Sequence, residues 1–384
     1  MDTGSSWPGL GRSLRRFPGI HRVLRNLRDH ARHAGYGLFR FLPADLDFGP
    51  PRGWFHIVDE LRRGRVAGRI ILERQPDPRI TPQSLRAISP LGQAAQMNWP
   101  VFWTRHPDAR LVGPTLLLVG DRFRIGVESA FGTICVEDDA GYRQFRRPPP
   151  TRLEGPWTSI ISRWSGGFYH WFMDALPRLS MLKELPPETR VLVPADLKGY
   201  ARDTLNWLGL EKRILPTSCT HYSVEDYYFC SPTNMTGIYD PYAVQFLRDS
   251  FLGRADASYQ SPRRFFIRRV GAVRGIVNEE EVLQFFRDRG WEIIDTEKLT
   301  MARQIQLFAQ AEQICTLHGA ALTNLVWCQP GCRVLELVSG TFINAVYEGV
   351  AEAARLDYQY MLCPGRVDYR AEVDLAELKR RLER

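Results

Sequence analysis

Long apolar runs are missing from this chain. Nothing approaches the roughly 18 residues of a membrane span, and the N-terminus lacks the apolar core of a signal peptide, so the expectation is a chain that is not exported. Cysteine pairing is missing too. Seven cysteines, an odd number, are scattered without a C-x-x-C pair. Cys328 and Cys332 flank a Pro-Gly turn, but two thiols without a second pair make a poor zinc site, so free thiols in a reducing cytosol are expected. No G-x-G-x-x-G follows the first strand of either half, so a dinucleotide pyrophosphate has no glycine turn to approach, which counts against a Rossmann oxidoreductase. Positive charge is plentiful but confined. Residues 11–40 hold eight arginines and one aspartate, seven of the net charge of +8. The remainder is nearly neutral, which argues against a basic groove for nucleic acid. Lysine is scarce, 5 residues against 46 arginines, so a lone arginine carries little information here.

What is present is an ordinary globular composition, 44% hydrophobic and 24% charged over 384 residues. That is long enough for two domains with substantial cores. The organising stretch is Glu312–Val338. A short apolar run, Ile314–Leu317, stops at His318-Gly319-Ala320-Ala321. Thr323-Asn324, an apolar stretch, a Pro330-Gly331 break and a second run at Val334–Val338 follow. The pattern predicts strand, tight turn, helix, turn and strand. Open α/β sheets bind phosphorylated ligands at such a strand end, where a helix N-terminus offers free N–H groups and its positive dipole end. Gly319 and Ala320 leave room for backbone approach, and His318 could donate to a phosphate oxygen. The nucleotide is expected here.

In chain order, the spacing of Ile20, Leu24, Leu27 and Ala31 between arginines predicts a basic amphipathic helix within a 1–50 extension. Such a helix suits either an anionic membrane or the protein's own body. Residues 41–100 show no clear periodicity. Thr115–Val119, Phe123–Val127 and Thr133–Glu137 predict a small β-meander. Elements then alternate: strands at Val191–Val193, Arg213–Leu215 and Tyr227–Cys230, helices at Tyr200–Leu208 and Tyr242–Leu252. Gly253–Pro262 suggests a linker, which divides a first domain (51–254) from a second (255–384). The second alternates again: a strand at Phe265–Ile267 ending in Arg268-Arg269, a loop with Arg274, and a helix begun by a capping-box-like Asn278 and Glu281. After Trp291–Ile294 and a helix capped by Thr300 comes the focal unit. Phe342–Ala354 predicts a helix, Tyr358–Leu362 a strand, and Leu375–Arg384 a last helix expected to pack over the first domain.

One helix in the first domain carries candidate chemistry. In Gly166–Leu179, Phe168, Trp171, Phe172, Ala175 and Leu179 form an apolar face. His170, Asp174 and Arg178 share another at i, i+4 and i+8, and Pro177 should bend the helix. A histidine and a carboxylate one turn apart amid aromatics suggest an acid/base group.

The segments GGFYHWFMDALPRL, IRR…RGIVNEEEV and ARQIQLFAQAEQICTLHGAALTNL, with Glu336 closing the series, together resemble glycosyltransferase family 61 over roughly Trp164–Leu362. That family includes bacterial capsular polysaccharide biosynthesis proteins and eukaryotic xylosyl- and N-acetylglucosaminyltransferases. The resemblance implies an α/β, GT-B-like architecture: two Rossmann-like domains facing a cleft, here with the basic N-terminal extension. It also implies an inverting, metal-independent hexosyl- or pentosyltransferase using a nucleotide sugar, usually a UDP-sugar, as substrate, with no other cofactor. Carried over, it makes Arg268 or Arg269, Arg274, Asn278, His318, Gly319, Ala320 and Asn324 the donor contacts, and Glu336 a carboxylate for the donor ribose.

The residues agree in part. From residue 51 on no D-x-D triplet occurs (Asp45-Leu46-Asp47 lies in the extension), so no carboxylate pair stands out for Mg²⁺, and the departing diphosphate would need arginines. Inversion needs a base on the opposite face. Asp174 is favoured, with His170 positioning it, and the reverse assignment stays open. The expected partners are the nucleotide sugar and an oligosaccharide or lipid-linked glycan acceptor. The expected location is cytoplasmic, with residues 11–40 able to rest on the inner face of the plasma membrane. The alternative is a non-catalytic polysaccharide-binding or assembly subunit that kept the fold.

Overall fold

The computed structural model describes residues 54–73, 84–89, 100–120, 124–130, 148–234, 237, 239–269 and 274–383. The basic helix expected within 11–40 and the Thr133–Glu137 strand lie outside these residues. The first half builds a nine-stranded sheet from β1 (Trp54–Phe55), β2 (Ala67–Leu72), β3 (Val101–Val112), β4 (Leu117–Gly120), β5 (Arg124–Gly126), β6 (Thr151–Ser159), β7 (Arg190–Pro194), β8 (Ile214–Thr217) and β9 (His221–Cys230). Its order is β1-β5-β4-β3-β9-β6-β7-β8, with β2 beside β3. β9, β6, β7 and β8 are parallel, whereas β3 runs antiparallel to β2, β4 and β9.

The mixture has a local cause. Parallel neighbours need a crossover of a dozen or more residues. Between β3 and β4 the chain instead turns back within four residues, through Gly113 at φ 80° and Leu116 at φ 55°. Within 41–100, the stretch without sequence periodicity, the described residues hold β1, β2, the short helix Ile57–Arg62 and a 3-10 turn at Leu85–Ala87. That helix is capped from far away: the buried Glu128 carboxylate accepts from the N–H of Ile57 at 2.8 Å.

The second half is simpler. β10 (Arg264–Ile267), β11 (Glu292–Ile294), β12 (Gln313–Leu317), β13 (Arg333–Ser339) and β14 (Asp357–Cys363) form an all-parallel sheet in the order β11-β10-β12-β13-β14. The chain leaves β10 toward one edge and returns beside it at β12 to build the other. In such doubly wound sheets ligands bind at this reversal, outside the carboxyl ends of the strands.

Successive residues point to opposite faces, and the core follows that parity. Phe266, Cys315, Leu335 and Met361 pack under helices Glu279–Arg287 and Leu375–Leu382. The last helix thus covers the second sheet and not the first domain, because its Leu378 finds apolar partners there and Arg333 bonds to its Leu382 carbonyl. Phe265, Ile267, Ile314 and Val334 face the other way. They join one apolar cluster that continues into Phe172, Leu176, Val193, Leu247 and Phe251 of the first half. The two sheets therefore share a core on one side of the second sheet. Among the described residues no helix is long and apolar enough to cross a membrane.

Candidate active site

At the carboxyl ends of β10, β11 and β12 the two halves leave a cavity of about 550 Å³, within the size range of small-molecule sites. Phe168, Tyr200 and Asp203 wall it from the first half; Arg268, Arg269, Thr296 and Gly319 wall it from the second. It lies where the reversal of strand order predicts a ligand.

The turn after β12 is built around an arginine. Gly319 has extended backbone at φ −178°, so its need for glycine is spatial. A Cβ there would sit 2.7 Å from Arg269 Nη1, and that same atom donates to the His318 carbonyl at 2.6 Å. The guanidinium of Arg274 lies 4.4 Å above the Phe342 ring. Its Nη1 is buried without a hydrogen-bond partner among the described residues. Burial lowers both arginines below the ordinary arginine value, and Arg274's like charge lowers Arg269 further. Neither makes an ion pair among the described residues. Arg268, by contrast, is paired with Glu279 at 2.8 Å, and that bond raises it.

Two histidine–carboxylate pairs flank these cations. His318 Nδ1 bonds Glu336 Oε1, and Tyr358 donates to Glu336 Oε2 at 2.5 Å. Glu336 is wholly buried, and both of its oxygens are engaged inside the protein. The His318 ring sits between Phe342 and Tyr347, with centroids 5.5 and 5.0 Å away.

The second pair stands on the irregular helix 168–184. It starts as an α-turn after Gly167, widens to a π-turn over Trp171–Ala175, and tightens to 3-10 over Leu176–Glu184. Pro177 is the cause. It has no N–H for the Met173 carbonyl, and the buried Asn234 amide donates to that carbonyl instead, at 2.7 Å. Arg178, one turn further on, donates its Nε to the Cys230 carbonyl at 2.9 Å while its charge still acts on Asp174. His170 and Asp174 stay together, Nδ1 to Oδ2 at 2.5 Å. Asp174 is buried, with its Oδ1 unpartnered among the described residues. Desolvation raises it above the usual carboxylate range, against the bond from His170 and the charge of Arg178. The His170 side chain is 29% exposed against 3% for Asp174, so the imidazole is the open end of the pair. Tyr169 and Tyr347, edge to face at 5.8 Å, stand between the two pairs.

Other residues singled out from the sequence serve the walls. Asn278 clasps the backbone of Val373, accepting from its N–H at 3.0 Å and donating to its carbonyl at 2.9 Å. It also reaches Glu281, but its side chain makes no cap hydrogen bond to the helix it precedes. Asn324 is buried, donates to Gln304 at 2.9 Å and accepts from Trp327 at 3.0 Å. It ties the 3-10 helix Ala320–Trp327 to helix Met301–Ala309. Ala320 lines the cavity beside Gly319. Sequence reasoning passed over Tyr358, Tyr169 and Tyr347, because only strand register and domain packing bring them to the site. Among the described residues no group of three or more His, Cys, Asp or Glu side chains is placed to hold a metal ion.

No curated protein matches the chain. The family model described as Glycosyltransferase 61 matches residues 168–335, from the His170–Asp174 pair through Arg269 and Arg274 to the His318 turn, and this match supports the assignment of the chain to glycosyltransferase family 61.

Proposed function

We propose that the chain moves a sugar from a nucleotide donor, a UDP-sugar, to a hydroxyl of a glycan acceptor with inversion, in a GT-B-like cleft between its two halves. One observation carries this: Arg269 lines the cavity at the strand-order reversal and holds the His318 carbonyl, and Arg274, stacked on Phe342 next to the His318 ring, adds a second cation whose charge acts on it, neither with an ion pair among the described residues. Two such cations favour a ligand with concentrated negative charge, and a diphosphate supplies it. Charge on the leaving group is assigned to these arginines and the His318 turn, without a metal.

The acceptor oxygen forms its bond to the anomeric carbon as the carbon–diphosphate bond breaks, and that electron pair leaves with the diphosphate. The acceptor proton goes to His170 Nε2. His170 is preferred to Asp174 as base because Asp174 is sealed from the cleft and bonds His170 Nδ1, the arrangement that orients an imidazole for proton transfer. Glu336 is assigned to His318 and not to the ribose, since both its oxygens are already engaged. Asn278 and Asn324 are assigned to holding the walls.

The family resemblance supports an oligosaccharide or lipid-linked acceptor and a role in capsular or cell-surface polysaccharide. The arginines of residues 11–40 would hold the enzyme at an anionic surface, each contributing roughly 1 kcal/mol. Salt-sensitive binding to phosphatidylserine liposomes that is lost on deleting 1–40 is expected; equal binding by both proteins would remove the anchor.

Calorimetric titration with UDP tests the donor site. The wild-type protein should bind, and Arg269→Ala and Arg274→Ala should each lose on the order of 1.5–3 kcal/mol, the value of a charged hydrogen bond. Unchanged affinity in both variants would move the donor elsewhere. Binding of UDP without transfer or hydrolysis of any UDP-sugar would favour a non-catalytic subunit.

A further inference from the structure

Tyr358, Glu336 and His318 lie on three adjacent parallel strands, or just beyond their ends. Glu336 on β13 is level with Thr316 on β12 and with Tyr360 on β14. His318 is two residues beyond Thr316, and Tyr358 is two residues before Tyr360. Two-residue steps keep the side chain on one face, so the three form a diagonal on the face shared with the first half. The diagonal is hydrogen-bonded throughout: Tyr358 hydroxyl to Glu336 Oε2, Glu336 Oε1 to His318 Nδ1.

Burial and the Glu336 charge raise the Tyr358 phenol well above its ordinary value, so the hydroxyl keeps its proton and is the donor. Glu336 cannot turn to solvent or to a ligand without breaking both bonds. The diagonal leads toward the proposed diphosphate site: the His318 carbonyl holds Arg269, and Phe342 beside the His318 ring carries Arg274.

We propose that Tyr358 is a positioning residue for sugar transfer: acting through Glu336, it fixes the His318 ring so that Nε2 meets the diphosphate of the donor and product nucleotide. This rests on the donor site proposed above. Nothing is transferred along the diagonal. The acceptor proton goes to His170, the electron pair goes to the diphosphate, and His318, its Nδ1–H held by Glu336, contributes a fixed hydrogen bond from Nε2–H in the imidazolium form. Arg269, Arg274, Tyr347 and Glu336 are the charged or titratable groups around the ring. A ring free to turn would lose its contact with the phosphate without loss of the fold.

The test is a double-mutant cycle on the full chain, read by calorimetric titration with UDP. His318→Ala should weaken UDP binding about 10- to 100-fold and Tyr358→Phe about 5- to 10-fold, in keeping with one charged hydrogen bond and its support. The double variant should bind no more weakly than His318→Ala alone, because residues acting as a unit are not additive. A merely structural tyrosine would give additive losses and a lowered melting temperature in Tyr358→Phe. Wild-type affinity in Tyr358→Phe, or full additivity, overturns the assignment. Glu336→Gln, which keeps the shape and both contact positions, guards against misfolding. It should behave as Tyr358→Phe or worse, and wild-type affinity in it also overturns the proposal. If the wild-type protein gives no heat with UDP, the donor-site proposal itself has failed, an outcome distinct from an unaffected Tyr358→Phe.

Discussion

The two histidine–carboxylate pairs use the same bond, imidazole Nδ1 to a buried carboxylate, and differ in everything around it. His318 is held between two aromatic rings with a side chain only 6% exposed, and its carboxylate is satisfied twice over. His170 is 29% exposed, and its carboxylate keeps one buried oxygen unpartnered. The first pair, with Tyr358 behind it, is built on three adjacent strands, the second on one helix forced out of regular pitch by Pro177. A fully bonded pair on a sheet suits a fixed contact to a phosphate. An open, partly satisfied pair suits a group that gains and loses a proton during turnover.

The largest expected effect separates the two roles. His170→Ala should lower transfer by about 10²–10⁴-fold, the usual share of a positioned base, with UDP affinity near wild type. Asp174→Asn should follow it with a similar or smaller loss in rate, because the amide can no longer hold the imidazole in its working orientation. Steady-state rates with UDP affinities measured alongside decide this. If His170→Ala keeps most of its activity while Asp174→Asn loses it, Asp174 is the base and the comparison is reversed.

Smaller, and a control on both pairs, is His106. It is partly buried and bonded to Thr104 Oγ1 at 2.8 Å, with no carboxylate partner among the described residues. Burial lowers it from the ordinary 6.5 to about 4. With the folded value below the unfolded one, its neutral form favours the fold. That contribution is complete above the ordinary value and drains away as pH falls from 6.5 toward 4. Urea unfolding between pH 7 and 4 should show His106→Gln with a flatter loss than wild type. Equal slopes would mean that His106 titrates normally.

How much of this was legible in the sequence depends on how local each cause is. The second sheet follows from short apolar runs between amphipathic helices, and Thr300 caps its helix as expected, accepting from the Arg303 N–H at 3.3 Å. The first sheet was legible in its βα alternation and in two strands of the expected meander, since Thr115–Val119 and Phe123–Val127 overlap the antiparallel β4 and β5. Its opening helix depends on Glu128, about seventy residues away, and β3 runs through Pro107 and Asp108 at φ 50°, residues that do not read as strand. At the site, spacing brought His170 and Asp174 together and kept the Arg178 charge within reach of Asp174, but the bond of Arg178 to the Cys230 carbonyl is a tertiary contact that no spacing encodes. Motif position put Glu336 at the ribose. Strand register gave its oxygens to His318 and Tyr358, and register is a long-range property that no local pattern encodes.

The most direct measurement is amide hydrogen exchange with and without saturating UDP. A nucleotide seated at the reversal of strand order should slow exchange at 317–321 and at 267–269, leaving the first-half strands β3 and β9 unchanged. Bound UDP that protects neither segment, or protects amides at the opposite end of the second sheet around Arg263 and Gly331, would contradict the placement of the donor.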